Sequence, residues 1–117
     1  MKLLLIEGDP GTIEVIRVCL EIYRPNVTLI NATMGLAGIE MAKKEKPDLI
    51  ILDLGLPDIS GIETLELIRQ HTNAPILISS ARTEEQIQKS LQLGASDYIV
   101  KPFNPTDLMD KINKMIE

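Results

Sequence analysis

The chain has 117 residues, of which 44% are hydrophobic, and a formal net charge of -5 at pH 7. This length fits one domain with a single core, expected to span residues 1–117. The negative charge argues against duplex nucleic acid or an anionic membrane as a partner, because neither surface attracts it. Only four aliphatic residues precede Glu7, which predicts neither a signal peptide nor a membrane span, so the expected location is the cytoplasm.

Five short aliphatic runs alternate with segments of helical period. The runs predict β-strands at residues 2–7, 27–32, 48–54, 75–80 and 97–101. Apolar residues between and after these runs recur at intervals of three and four, which predicts five helices. In the first helix they are Ile13, Ile16, Leu20 and Tyr23. Strict alternation of strand and helix predicts a parallel sheet with helices on both faces.

Residues that favour helix N-caps precede these helices. They are Asp9, Thr33, Ser60, Thr83 and, for the last helix, Asn104 or Thr106. The single cysteine, Cys19, lies among the apolar residues of the first helix, so we expect it to be buried rather than a nucleophile or a ligand. The single histidine, His71, has no cysteine or second histidine near it, and we expect a surface residue rather than a transition-metal ligand.

Polar residues stand at the ends of several predicted strands. In open α/β sheets the ligand crevice lies at the carboxyl ends of the strands. The residues delivered there are Glu7, Asp9, Asp53, Ser79, Ser80 and Lys101. Three acids, two hydroxyl groups and a lysine are therefore expected at one edge of the sheet.

This set of residues permits phosphoryl chemistry. A carboxylate can accept a phosphoryl group when cations neutralise the phosphoryl oxygens, and Mg²⁺ and a lysine would do so. Asp53 is the candidate nucleophile, because it ends the most apolar strand and lies at the same edge as Lys101. A turn or helix-capping acid at Asp53, and a solvated lysine at Lys101, are the alternatives that spacing leaves open.

Over its whole length the chain resembles the receiver domain of two-component response regulators. The resemblance rests on "DLIILDLGLPDISG", "PILISSA" and "GASDYIVKPF". It implies a doubly wound, flavodoxin-like α/β fold with five parallel strands in the order 2-1-3-4-5. It also implies a signalling domain rather than an enzyme, with at most self-catalysed phosphorylation and dephosphorylation.

The resemblance also implies roles for individual residues. Asp53 would accept the phosphoryl group from a sensor histidine kinase or a phosphotransfer protein, and Lys101 would contact a phosphoryl oxygen. The hydroxyl of Ser80 would bond the phosphoryl group, and Tyr98 would rotate inward in response. This response would switch the face formed by the fourth helix, the fifth strand and the fifth helix.

The metal site implied by the resemblance is atypical in this chain. Its Mg²⁺ ligands would be Glu7, Asp53 and the backbone carbonyl of Gly55. Gly8 stands where the family has a second acid that binds the metal directly, so we expect weakened Mg²⁺ binding. Asp9 either caps the first helix, as its place before proline favours, or reaches the metal because Gly8 allows a tighter turn.

Two functions remain open on the sequence. The first is a phospho-accepting receiver, which retention of Asp53, Ser80, Tyr98 and Lys101 favours. The second is a pseudo-receiver that acts as an interaction domain without phosphorylation. An enzyme or flavin carrier of this architecture is disfavoured, because the acids of "EGDPGT" would repel a phosphate. Besides the kinase, the expected partners are an output domain or effector protein outside these residues and a second copy of the domain in a homodimer.

Overall fold

The computed structural model describes residues 1–81 and 84–117. The strands are β1 (Lys2–Ile6), β2 (Thr28–Ala32), β3 (Leu49–Asp53), β4 (Ile76–Ser80) and β5 (Asp97–Val100). The helices are α1 (Pro10–Tyr23), α2 (Gly35–Glu45), α3 (Gly61–Arg69), α4 (Glu84–Gln92) and α5 (Pro105–Ile116). All the predicted elements are present, and each strand is one or two residues shorter than its aliphatic run.

The five strands form one parallel sheet in the order β2-β1-β3-β4-β5, which confirms the predicted doubly wound fold. Asp53 at the end of β3 is in register with Ser79, and Ser80 at the end of β4 is in register with Val100. The carboxyl ends of the strands therefore lie side by side, at what we call the carboxyl edge of the sheet.

Both faces of the sheet are buried, which explains why its strands are continuous aliphatic runs. Successive side chains of a strand point to opposite faces, so Leu3 and Leu5 pack with α1 and α5, while Leu4 and Ile6 pack with α2 and α3. Burying each such side chain contributes roughly 1.5–3 kcal/mol relative to leaving it exposed.

Helix α1 shows where the periodic pattern fails. Ile16, Cys19 and Leu20 are buried as predicted, and burial raises the pKa of the Cys19 thiol. Tyr23 was expected on the same apolar face but is 61% exposed. The reason is its position as the last residue of α1, beyond the helical turn of Leu20 that packs on the core.

Local side chains cap three of the helices, as predicted. Asp9 accepts a hydrogen bond from the Thr12 backbone N–H at 2.9 Å. Ser60 Oγ accepts from the N–H of Glu63 at 3.0 Å. At the start of α5 the cap is Asn104, whose side-chain oxygen accepts from the N–H of Asp107 at 2.8 Å.

The predicted cap of α2 at Thr33 is wrong. The N-cap of this helix is Met34, whose side chain makes no capping hydrogen bond. Asp58, from the loop after β3, accepts instead from the N–H groups of Gly35 at 2.8 Å and Leu36 at 3.0 Å. These bonds, that of Leu36 first, lower the pKa of Asp58. The predicted cap of α4 at Thr83 lies outside the described residues.

Candidate functional site

Three charged side chains meet at the carboxyl edge. The ammonium nitrogen of Lys101 lies 2.5 Å from Glu7 Oε1 and 3.6 Å from Asp53 Oδ2. Lys101 directly follows β5, its backbone N–H donates to the carbonyl of Ser80 at 3.0 Å, and its bond to Pro102 is cis. One cation therefore lies between the acid that follows β1 and the acid that ends β3.

Glu7 is the buried acid of this group, with 1% of its surface exposed. Its Oε2 accepts hydrogen bonds from the backbone N–H groups of Gly8 at 3.1 Å and Asp9 at 3.2 Å. Burial raises the pKa of Glu7, because a charged carboxylate is poorly solvated there, and the ion pair with Lys101 opposes this rise. Lys101 thus compensates a charge that burial alone disfavours.

Asp53 is more accessible, with 13% of its side chain exposed. Its Oδ1 accepts a hydrogen bond from the Gly55 N–H at 3.0 Å, which fixes the orientation of the carboxylate. Its Oδ2 lies toward Lys101 but, at 3.6 Å, is too far for a hydrogen bond. Asp53 therefore presents one oriented oxygen beside a cation, which is the arrangement that a carboxylate nucleophile requires.

The side chain of Asp9 makes capping hydrogen bonds at the start of α1. Its Oδ2 accepts from both the side-chain hydroxyl of Thr12 at 2.8 Å and the backbone N–H of that residue. These bonds, the hydroxyl first, lower the pKa of Asp9. The N-cap role of Asp9 is confirmed, while its role as a metal ligand stays a prediction. Gly8 lies outside the left-handed region, so this turn does not require the backbone freedom of glycine.

The donor set at the carboxyl edge fits a Mg²⁺ site with few protein ligands. Glu7 Oε1 and Asp53 Oδ2 already lie around one cationic group, the ammonium of Lys101. Mg²⁺ commonly uses one or two carboxylates and keeps several waters. The backbone carbonyl of Gly55, two residues after Asp53, is the further ligand that the sequence predicted. Among the described residues no group of three or more His, Cys, Asp or Glu side chains could hold a metal ion.

The two predicted switch residues lie in different surroundings. Ser80 is fully buried at the end of β4, whereas Tyr98 on β5 is 37% exposed. The ammonium of Lys111 lies 5.3 Å from the centre of the Tyr98 ring, and it also pairs with Asp97 at 3.1 Å. Tyr98 therefore starts from an outward position held near a cation.

A groove of about 550 Å³ runs beside Lys101. Its lining residues come from α1 and from the segments after β4 and β5: Asp9, Gly11, Thr12, Val15, Ala81, Lys101, Pro102 and Phe103. On the outer face of α1, the apolar residues Val15, Val18 and Ile22 are 40%, 37% and 63% exposed. An apolar surface therefore adjoins the charged site.

Sequence reasoning missed what two residues do. Asp58 caps a helix more than twenty residues earlier in the chain, and no local pattern indicates this. Ser79 was recognised as a polar residue at a strand end, but its burial beside Asp53 was not predicted. Both properties depend on how the loop after β3 and the strand β4 pack.

Comparison with known proteins identifies the family to which this fold belongs. The family model of the response regulator receiver domain matches residues 3–113. The chain belongs to the response regulator receiver domain family. The receiver is 45% identical over 113 residues to the transcriptional regulatory protein KdpE of Staphylococcus aureus, covering 95% of this chain and 48% of that protein. KdpE of Mycobacterium tuberculosis is 34% identical, with coverages of 97% and 50%.

Solved receiver structures agree with this assignment. A two-component response regulator from Clostridium difficile superposes with a TM-score of 0.91 at 27% identity, covering 99% of this chain and 95% of that chain. The BeF3-activated receiver domain of Klebsiella pneumoniae RstA superposes with a TM-score of 0.86 at 25% identity, covering 100% and 99%.

The receiver spans about half the length of the curated relatives that it matches. It is a signalling domain of two-component systems, and receiver domains generally bind Mg²⁺ at the phosphorylation site. No helix within the described ranges 1–81 and 84–117 is both long enough and apolar enough to cross a membrane.

Proposed function

We propose that this receiver accepts a phosphoryl group on Asp53. The observation that carries the proposal is the ammonium of Lys101, which lies 3.6 Å from Asp53 Oδ2 at the carboxyl edge. Oδ2 attacks the phosphorus of the donor, an O–P bond forms, and the bond from phosphorus to the donor's leaving group breaks. Lys101 opposes the negative charge that concentrates on the phosphoryl oxygens during this transfer.

Magnesium supplies further positive charge when bound, with Glu7, Asp53 and the carbonyl of Gly55 as its protein ligands. Gly8 deprives this site of the acid that other receivers place there, so Mg²⁺ binding is weak. Phosphorylation of this domain is therefore slow or needs a high Mg²⁺ concentration. Glu7 and Asp53 still converge on one cation, which keeps the reaction feasible.

The test is labelling by a small-molecule phosphodonor with Mg²⁺, followed by intact-mass spectrometry. The wild-type domain should gain one phosphoryl group, and Asp53→Asn should gain none. Asp58→Asn is the matched control, because Asp58 lies in the same loop and an asparagine keeps one oxygen that can accept a capping bond at the start of α2. Equal labelling of Asp53→Asn and the wild type would refute the assignment.

Output is carried by the face of α4, β5 and α5. A cavity of about 320 Å³ lies beside Tyr98, lined also by Glu84, Ile87, Gln88 and Val100, and gives the ring space to turn inward. A phosphoryl group on Asp53 draws the Ser80 hydroxyl toward it, and Tyr98 then leaves the ammonium of Lys111. A ligand shifts such an equilibrium only through contacts that differ between the two states.

Amide chemical shifts provide the test of this output face. A beryllium fluoride adduct should perturb mainly residues 80–115 in the wild type, and the Asp53→Asn variant should show none of these shifts. Perturbations confined to α1 would contradict the role of this face.

The partners follow from the surface around the site. A sensor histidine kinase or phosphotransfer protein docks on the exposed apolar residues of α1, which adjoin the groove beside Lys101. The output is a DNA-binding or other effector domain on a longer parent chain, or a separate effector protein, and a homodimer can bring two such outputs together. With a charge of -5, the receiver itself does not bind duplex DNA. It works in the cytoplasm.

A pseudo-receiver is the second candidate, and one contact favours it. Lys101 pairs with Glu7 at 2.5 Å and lies farther from Asp53, so the charge of the buried acid is already compensated without a divalent cation. A domain of this kind would keep its partner surface and show no response to phosphodonors. The labelling experiment above separates the two functions.

A further inference from the structure

Ser79 on β4 has a buried hydroxyl that makes no hydrogen bond to any described residue. The residue is 1% exposed, and its Oγ has no hydrogen-bond partner among the residues that the structure describes. An unpaired buried hydroxyl is unfavourable, and most buried polar side chains in proteins are paired. Glu7 Oε1, also buried, differs because the Lys101 ammonium lies 2.5 Å away. Ser79 therefore carries an unused polar group next to the proposed site.

The sheet places Ser79 between the two residues of the proposed reaction. It is in register with Asp53 on β3 on one side and with Ile99 on β5 on the other. Lys101 comes two residues after Ile99, and its ammonium reaches to within 3.6 Å of Asp53 Oδ2. Because β4 lies between β3 and β5, the Lys101 side chain crosses the end of β4, where Ser79 lies.

The ammonium of Lys101 has hydrogen-bonding capacity to spare. A lysine ammonium carries three N–H donors. One faces Glu7 Oε1 at 2.5 Å, whereas Asp53 Oδ2 at 3.6 Å is beyond hydrogen-bonding distance. Within the described part of the chain, a donor with N–H groups to spare and an acceptor without a partner thus both belong to the carboxyl edge.

We infer that Ser79 is a positioning residue for Lys101 in the phosphorylated state, an inference that rests on phosphorylation of Asp53. When the phosphoryl group forms, the ammonium moves from Glu7 toward the phosphoryl oxygens, and Ser79 Oγ accepts one of its hydrogen bonds. The contact to Glu7 belongs to the unphosphorylated state and the contact to Ser79 to the phosphorylated one. This difference lets Ser79 favour the phosphorylated state without stabilising the resting fold.

The test compares Ser79→Ala with a serine whose hydroxyl is already used. Ser79→Ala should lower the maximal rate of Asp53 labelling by a small-molecule phosphodonor about tenfold, the effect of losing one hydrogen bond to a charged group. Its half-saturating Mg²⁺ concentration should match the wild type, and its melting temperature should be no lower than that of the wild type, because the substitution removes a buried hydroxyl that has no partner among the described residues. Ser96 Oγ accepts from the N–H of Ile76 at 3.0 Å, so Ser96→Ala should lower the melting temperature and leave the labelling rate unchanged.

A double-mutant cycle identifies the partner of Ser79. In a Lys101→Met background, Ser79→Ala should cause no further loss of rate, because the ammonium that it positions is gone. An undiminished rate in Ser79→Ala, a melting temperature lowered as in Ser96→Ala, or the same tenfold loss in the Lys101→Met background would each overturn the inference. Absence of labelling in the wild type would refute the proposed function itself and the inference with it, so the two failures are distinguishable.

Discussion

The junctions β1–α1 and β3–α3 of this receiver, the first and third strand-to-helix junctions, differ in how they divide two roles between their residues. Each carries an acid from a strand end into the site and must also cap a helix. Between β1 and α1 the chain is short, so Glu7 enters the site and Asp9 is committed to the cap. Between β3 and α3 the loop is longer, and Ser60 caps α3, which leaves Asp53 free of capping bonds.

The comparison explains why Gly8 matters. In the short junction Gly8 has no side chain to offer to a metal, and the neighbouring acid, Asp9, caps α1. In the long junction, by contrast, Asp58 even caps a second helix, α2. Lys101 joins the two junctions by contacting Glu7 closely and Asp53 more distantly. Under the proposed function, the first junction is where metal binding is weakened, and the third is where the reaction takes place.

The largest effect on the labelling rate should come from removing the charge of Lys101, which contacts the acids of both junctions. Lys101→Met keeps an unbranched side chain without the charge, and labelling of Asp53 should fall roughly a hundredfold, as when an enzyme loses one electrostatic stabiliser. Mass spectrometry over a time course measures the rate. The matched control is Lys111→Met, since Lys111 pairs with Asp97 away from Asp53. Unchanged labelling in Lys101→Met would show that the two junctions do not act through this lysine.

Replacing Gly8 with an acid should make Mg²⁺ binding at the first junction resemble that of other receivers. Gly8→Asp adds a carboxylate near Glu7 and Asp53, and two such charges about 5 Å apart repel by at most roughly 3 kcal/mol at an effective dielectric constant of 20. The variant should melt at a lower temperature without metal. Its Mg²⁺ affinity should rise about tenfold, or ~1.4 kcal/mol, and its labelling should be faster.

Gly8→Ala is the control for this variant, because a Cβ at this position lies 3.2 Å from the carbonyl oxygen of Thr33 in both cases. The difference in Mg²⁺ affinity and labelling rate between Gly8→Asp and Gly8→Ala therefore reports the effect of the carboxylate alone, since both variants share the steric contact. A Gly8→Asp protein that is folded but unchanged in both Mg²⁺ affinity and labelling rate would indicate that Asp9 already serves as the missing ligand.

The pH dependence of stability should reveal the buried acid of the first junction. Because the pKa of Glu7 is raised above its ordinary value of 4.5, its contribution to stability is fully present below that pH and is lost as pH rises through the folded-state pKa. Glu7→Gln should therefore be more stable than the wild type at pH 7 without metal, because it removes the buried charge. The difference should vanish near pH 4 in urea unfolding experiments with a chelator. A variant that is less stable at pH 7 would mean that the ion pair with Lys101 outweighs burial.

The smallest expected effect is on stability and comes from variants of Asp9. These variants distinguish a capping role of Asp9 from a metal-binding role. Asp9→Ala should lower the free energy of unfolding by about 1 kcal/mol, as Ser60→Ala should in the third junction, because each removes an N-cap. Asp9→Asn keeps a capping oxygen and should retain most of this stability with unchanged Mg²⁺ affinity, measured by calorimetric titration. Weaker Mg²⁺ binding by Asp9→Asn would instead make Asp9 a ligand.

Much of this structure was predictable because it depends on interactions that are local in sequence. The alternation of aliphatic runs and helical periods determines the ten elements, and the motifs at the strand ends indicate the receiver family. The caps at Asp9, Ser60 and Asn104 involve backbone groups three residues away, so residue type and spacing suffice to predict them. The carboxyl edge follows as well, because parallel strands end on the same side.

Only the tertiary structure decided which of these groups pair. Asp58 replaces Thr33 as the cap of α2 because the loop after β3 packs against the start of that helix. Lys101 contacts Glu7 more closely than Asp53, because the order and register of the strands set these distances. For the same reason the Ser79 hydroxyl has no hydrogen-bond partner in residues 1–81 and 84–117. The sequence determined which charged groups and hydroxyl groups lie at the carboxyl edge. Which acid pairs with the Lys101 ammonium depends on burial and distance, and these are set only when strands distant in sequence pack together.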